Sequence, residues 1–265
     1  MTDNTTMPVF FVAHGSPMNA LENNHFTADW DTLFKPCPTP TAIVVFSAHW
    51  HVPGTRILSV DNPKTIHDFG GFPPQLFQQT YPCPGAPDLA QQIIESLNAA
   101  DIDVISDDNW GLDHGSWVVL KKLFPQANIP VLQVSLDNRI DDILHHARIG
   151  EMLKPLRNEG VLFIGSGNIV HNIMKWMMAR PSDSIEWAAS FDQHIANAVE
   201  RRDMDTVARF NEHPFANDAV PTIEHFLPLA YALGLTDNND QQTHSSFAFD
   251  DLGTACSRSI RFDAA

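Results

Sequence analysis

Four short runs of nearly unbroken apolar residues, Val9 to Ala13, Ala42 to Phe46, Ile129 to Leu136 and Val161 to Ile164, constrain the fold most. A strand with one wet face alternates apolar and polar residues. These runs do not, so both faces must be covered, as in a parallel sheet packed between helices. Helical patterns lie between them. Pro87 to Ala99 begins with Pro and Asp and carries Leu89, Ile93 and Leu97 at four-residue spacing, a pattern that suits a helix opened by proline. Ile140 to Arg157 and Ile185 to Val199 show mixed patterns of similar kind. The expected architecture is α/β, with a central, mainly parallel mixed sheet flanked by helices. Residues in His244 to Phe262 are compatible with two further short strands extending the sheet.

No repeat, low-complexity tract or linker divides the chain, so residues 1–265 are expected to form a single domain. Pro63 to Gly85 contains FGGFPPQ and YPCPG and must be largely turn or irregular loop. Loops of that length in a compact domain are often functional.

The formal charge of −16 excludes several partners. A nucleic-acid surface needs clustered Lys and Arg, and an anionic membrane attracts the same residues. No apolar run is long enough to span a bilayer, and MTDNTTMPVF lacks signal-peptide features. The 3 cysteines, Cys37, Cys83 and Cys256, are widely spaced and form neither a disulfide framework nor a CxxC knuckle. A soluble, cytoplasmic protein is the expectation.

Against 16 Lys and Arg the chain carries 13 histidines, an unusual load of a residue that binds metals and moves protons. His14 and His49 each fall at or just beyond the carboxyl end of an apolar run, and His171 follows VLFIGSGNIV, where the strand is expected to have given way to a Gly-rich turn. In open α/β sheets, ligands bind in the crevice outside those strand ends. Three histidines from three distant segments could therefore meet there, which would put a metal site at the carboxyl ends of the strands. His114 lies in WGLDHGSW, expected to be a loop ahead of an amphipathic helix through Phe124; His225 lies in PTIEHFLP, expected within a helix that begins after the proline. His67 in IHDFGGFP could line a pocket, contact substrate or fix its loop through Asp68. The other seven, His25, His51, His145, His146, His194, His213 and His244, are expected at the surface.

Other signatures fail. GSGNIV lacks the last glycine of a dinucleotide fingerprint, and no nucleophile elbow, Walker A, HExxH or EF-hand pattern occurs. Ser16 and Ser116 each follow His-Gly, which suits a serine hydrolase no better than a crowded metal site.

Seven segments in series, HGSPMNAL, SAHW, TIHDFGGFP, YPCPGAP, GLDHGSW, GSGNIVHN and PTIEHFLPL, resemble the 4,5-DOPA extradiol dioxygenases. These are class III extradiol ring-cleavage enzymes related to the protocatechuate 4,5-dioxygenase catalytic subunit. The resemblance runs from residue 8 to about residue 235. It implies a mononuclear, non-haem Fe(II) enzyme that uses O2 to open a catechol such as L-DOPA. It implies His14, His49 and His225 as metal residues, His171 as a ligand or acid/base residue, and His114 as a histidine beside substrate and oxygen. No partner beyond catechol and O2 is implied.

The chain departs from the usual pattern of two histidines and one carboxylate, because Glu224 and His225 stand side by side and the DOPA-type pattern points to the histidine. Histidine-rich sites also suit zinc, so Zn(II) could occupy the isolated protein. Two alternatives stay open: a zinc-dependent hydrolase, which would turn over without oxygen, and a non-catalytic binding protein on the same fold.

Overall fold

The computed structural model describes residues 6–178, 185–245, 248 and 255–265. Its eight strands are β1 Val9–Ala13, β2 Ala42–Val52, β3 Thr55–Leu58, β4 Val104–Asp107, β5 Val131–Asp137, β6 Val161–Gly167, β7 Gln241–His244 and β8 Ile260–Asp263. They form one sheet in the order β4-β3-β5-β2-β6-β1-β8-β7. The four central strands, β5, β2, β6 and β1, are mutually parallel. β8 runs antiparallel to β1, β7 antiparallel to β8, and β3 antiparallel to β5.

The four apolar runs are these central strands, and successive side chains feed two separate cores. Val9, Phe11, Val44, Phe46, Leu132, Val134 and Phe163 pack on one face. Phe10, Val12, Ile43, Val45, Val131, Leu162 and Ile164 pack on the other. The first face is covered by α2 Pro87–Ala99, α4 Ile143–Leu153, α6 Glu186–Glu200 and α9 Leu227–Gly234, whose buried residues join the same core. The second is covered by α1 His25–Leu33 and α3 His114–Leu123. Three shorter helices, α5 Ile173–Met178, α7 Met204–Ala208 and α8 Ala216–Ala219, complete the α-helices among the described residues.

Helix starts follow side-chain chemistry. Pro87 opens α2, the Asn24 side chain and Thr27 cap α1 reciprocally, and the Asp113 side chain accepts from the Ser116 N–H at the start of α3. Several expectations need correction. β2 continues six residues beyond Phe46, so His49 lies inside the strand. Gly165-Ser166-Gly167 is the end of β6 rather than a turn. His114 is the first residue of α3, because Asp113 supplies the cap, and is not in a loop. His225 sits in the turn before α9, which starts two residues later. β3 and β4 lack a long apolar signature: TRIL and VISD are short and carry polar residues, and β4 is an edge strand. β8 extends the sheet from within the expected range His244 to Phe262, but its partner β7 lies ahead of that range and only reaches it at His244; part of the range lies outside the described residues.

The strand register positions the site. Ser166 lies opposite Val12 on one side and Ser47 on the other, and Ala13 pairs with Gly167. His14 and His49 therefore flank the end of β6. Two glycines let the α9 segment press onto it: a Cβ on Gly167 would fall 2.2 Å from the His225 carbonyl oxygen, and one on Gly165 would fall 2.4 Å from that of Pro228.

Candidate metal centre

Three histidines from three segments converge. His14 follows β1, His49 lies late in β2, and His225 comes from the turn ahead of α9, anchored where its carbonyl accepts from the Asn168 N–H at 2.8 Å. One donor atom from each lies within 4.8 Å of the others. Nε2 of His14 and Nε2 of His49 are 3.0 Å apart.

The partners of the opposite ring nitrogens decide which nitrogens are free. The Ser166 hydroxyl gives its one proton to the Gly115 carbonyl at 2.5 Å, so it must accept from Nδ1–H of His14 at 3.0 Å. Nε2 of His14 is then bare. Nδ1–H of His225 donates to Oε1 of Glu224 at 3.0 Å, and the buried Nε2 of His225 has no hydrogen-bond partner among the described residues. Nδ1 of His49 faces Oδ2 of Asp68 at 3.5 Å. Each ring thus turns one nitrogen to a polar anchor and the other inward, an arrangement typical of metal-binding imidazoles.

Electrostatics favour the same reading. Burial first, then the neighbouring imidazoles of His225, His114 and His171, hold His14 well below its ordinary range. Burial and then His114, His14, His225 and His171 do the same to His49. Both rings are therefore neutral at pH 7, the form that binds metals. Burial pushes the Glu224 carboxyl up, but its contact with His225, first through the hydrogen bond to Nδ1–H, overcomes this and holds the group below the ordinary carboxylate range. A buried, unpartnered nitrogen beside two converging ring nitrogens fits a transition metal with imidazole ligands.

His171 and His114 border this triad in different ways. The His171 ring lies flat on His225, centroids 3.5 Å apart and planes 9° apart, and it is absent from the converging donor set. Burial and then His225 push its pKa well down. His114 stands over His49 with centroids 3.8 Å apart. Its backbone N–H donates to Oδ1 of Asp68 at 2.9 Å and its Nδ1–H to Oδ2 at 2.8 Å. Burial pushes Asp68 up, yet the hydrogen bonds from His114 hold it below the ordinary carboxylate range.

His67 lies further out. Its Nε2–H donates to the Gln79 carbonyl at 2.9 Å, and its ring packs on Phe69 and Trp117, each 5.7 Å away. Phe69 meets the His114 ring edge-on at 5.6 Å and contacts Phe72 and Phe77, forming an aromatic wall beside the site. Of the seven histidines expected at the surface, six are half-buried, and His146, completely buried, corrects the expectation.

The sequence offers Asp68 only as a loop anchor for His67 and assigns no role to Ser166 or Asp113. Ser166, Asp68 and the buried Asp113 are polar groups within or beside the GSGN, IHDF and LDHG segments. Asp113 accepts from the Ser47 hydroxyl at 2.6 Å and from the Gln133 amide, directly beneath Gly115. Burial, reinforced by the charge of Asp68, raises its pKa to about 6. The only signal for such residues was their place inside histidine-bearing blocks.

Known proteins resemble the chain over most of its length. The family model described as the catalytic LigB subunit of aromatic ring-opening dioxygenase matches residues 8–258. A protein of Escherichia coli (strain K12) named 4,5-DOPA dioxygenase extradiol is 42% identical over 243 residues, covering 90% of this chain and 89% of its own. A Beta vulgaris protein of the same name is 38% identical over 240 residues, covering 88% of each. The crystal structure of an uncharacterized protein from Escherichia coli K12 superposes with a TM-score of 0.79 at 35% identity, covering 96% of this chain and 99% of that one.

Proposed function

The chain belongs to the family of the catalytic LigB subunit of aromatic ring-opening dioxygenase, and from that premise we propose that it cleaves L-DOPA or a related catechol at the 4,5 bond. It is an extradiol dioxygenase; the substrate, the metal and the roles below are the proposal. Its metal is Fe(II), held by Nε2 of His14, Nε2 of His49 and Nε2 of His225. Zn(II) fits the same nitrogens but has no redox chemistry, so zinc-loaded protein is inactive. When bound, Fe(II) supplies the electron transfer between catechol and O2 that an organic side chain cannot provide.

The protein's own groups orient and move protons. Ser166 and Glu224 keep His14 and His225 in the tautomers that turn Nε2 inward. Nδ1–H of His114 is committed to Asp68, which leaves its Nε2 to take the proton from a catechol hydroxyl. His171, neutral and stacked on His225, is a second proton carrier, able to return a proton as the ring opens. Phe69, Phe72 and Phe77 offer apolar faces to an aromatic substrate, with His67 behind them. Hydrolysis of the ring-inserted lactone gives a yellow semialdehyde. The described residues contain no helix long and apolar enough to cross a membrane. A cytoplasmic location is part of the proposal, supported by three free thiols.

The observation that carries this reading is the convergence of three histidines whose opposite ring nitrogens are already anchored. The test is anaerobic Fe(II) loading followed by L-DOPA and air, with oxygen uptake and visible absorbance recorded together. Oxygen consumption coupled to a yellow product is expected. Absence of oxygen uptake across a panel of catechols would reject the proposal.

A further inference from the structure

We propose that Asp68 is a positioning residue for the reaction: its carboxylate fixes the tautomer and aim of His114 and so presents Nε2 of His114, unprotonated, to the substrate. This rests on the reading of His114 as a proton acceptor.

The geometry is specific. One carboxylate oxygen takes the backbone N–H of His114 at 2.9 Å and the other takes Nδ1–H at 2.8 Å, so a single group holds both the start of α3 and the ring it carries. The Asp68 side chain is 16% exposed and that of His114 only 8%, so little water competes for these bonds. A carboxylate only accepts, hence Nδ1 must carry the proton, and in the neutral ring Nε2 holds the lone pair. The next residue, Phe69, packs edge-on against the same ring and opposes its rotation. Oδ2 also faces Nδ1 of His49, 3.5 Å away, which gives Asp68 a hold on the neighbouring donor.

A purely structural role, capping the free N–H at the start of α3, would account for the backbone contact alone. The loop does not need Asp68 to stay in place. Ile66 N–H donates to the Leu112 carbonyl at 2.8 Å, and Trp117 Nε1–H donates to the Ile66 carbonyl at 2.9 Å. The two roles separate in Asp68→Asn. The asparagine oxygen can still accept the backbone N–H, whereas its amide donates toward Nδ1 and favours the opposite tautomer, with the proton on Nε2. Removal of a histidine-orienting carboxylate in this way inverts the tautomer without disturbing the fold.

The experiment compares wild type, Asp68→Asn and Asp68→Ala as full chains. Metal content is measured by elemental analysis, the His114 tautomer by imidazole 15N shifts of the zinc-loaded protein, and kcat and KM on the Fe(II)-loaded protein. Wild type is expected to show Nδ1–H at His114. Asp68→Asn is expected to retain metal, switch His114 to Nε2–H, and lose about 10- to 100-fold in kcat with KM changed less than about threefold. Asp68→Ala, which leaves Nδ1 without its partner, is expected to show mixed tautomers and a similar kcat loss.

Loss of metal from Asp68→Asn as complete as that from His49→Ala would place its main role at the metal, as a ligand or as the anchor of His49, and overturn the proposal. So would a His114 tautomer unchanged in both variants, whatever happens to kcat. The spectra do not depend on turnover, so a wild-type protein that cleaves no catechol would count against the proposed function and not against the tautomer result.

Discussion

Ser166 accepts from Nδ1–H of His14 at 3.0 Å because its own proton is committed to the Gly115 carbonyl at 2.5 Å. A three-member chain thus runs from the first turn of α3 through β6 to a converging imidazole. It converts strand register into the direction of a lone pair.

Ser166→Ala breaks that chain and leaves a ring N–H and a carbonyl unpartnered in a dry site. The expected cost is about 1–3 kcal/mol of stability. Metal affinity should fall about 10- to 100-fold. Chelator competition measures the second effect, and wild-type affinity in the variant would rule out orientation by Ser166.

Glu224 separates ligand from anchor. If its carboxylate acts by holding Nδ1–H of His225, Glu224→Ala should weaken metal binding by about 10- to 100-fold. Glu224→Gln, whose oxygen can still accept, should weaken it less, whereas His225→Ala should abolish it. Equal losses in Glu224→Ala and His225→Ala, read by metal stoichiometry, would identify Glu224 as a ligand.

His14→Ala and His49→Ala should each abolish metal binding, while His114→Ala should keep it and slow ring opening. The expected loss for His114→Ala is about 100- to 10,000-fold in kcat, the range for general acid–base groups. Elemental analysis alongside oxygen uptake distinguishes the cases. Metal loss in all three would erase the division between donors and proton carrier.

Gly167→Ala tests the close approach of the His225 turn. The added Cβ would fall 2.2 Å from the His225 carbonyl oxygen, so the turn or the end of β6 must move. Overpacking of this kind costs about 1–3 kcal/mol, and here the same shift would withdraw a proposed metal donor. A variant with wild-type thermal stability and metal affinity would contradict the packing.

His146 adds acid sensitivity away from the metal centre. Its Nε2–H donates to the Ile140 carbonyl at 2.7 Å, so the Tyr231 hydroxyl must donate to Nδ1 at 2.8 Å. Burial lowers its pKa from 6.5 to about 4. As pH falls, the unfolded chain therefore takes up the proton first. The stabilisation from the neutral ring is complete above about pH 6.5, declines between 6.5 and 4, and is exhausted below that. The shift corresponds to about 3 kcal/mol across the window. His146→Gln should make unfolding free energy less steep in pH by up to about 1.4 kcal/mol per unit, read from denaturant titrations at several pH values.

The sequence by itself determined the class of fold and pointed to the histidines proposed for the site. Val9 to Ala13 and its three companion runs had to be covered on both faces because they lack polar alternation. The positions of His14 and His49 relative to such strands, with His225 in a matching segment, pointed to one centre. What it could not supply was the state of each ring. That depends on what touches the far nitrogen: Ser166, 152 residues from His14, or Asp68, 46 residues from His114. His146 shows the same limit, since its charged helical neighbourhood read as surface until α9 packed Tyr231 against it. Local pattern sets strands and helices because side-chain periodicity is local. Tautomer and burial belong to the tertiary structure, because the hydrogen-bond partners and packing faces that fix them come from distant parts of the chain.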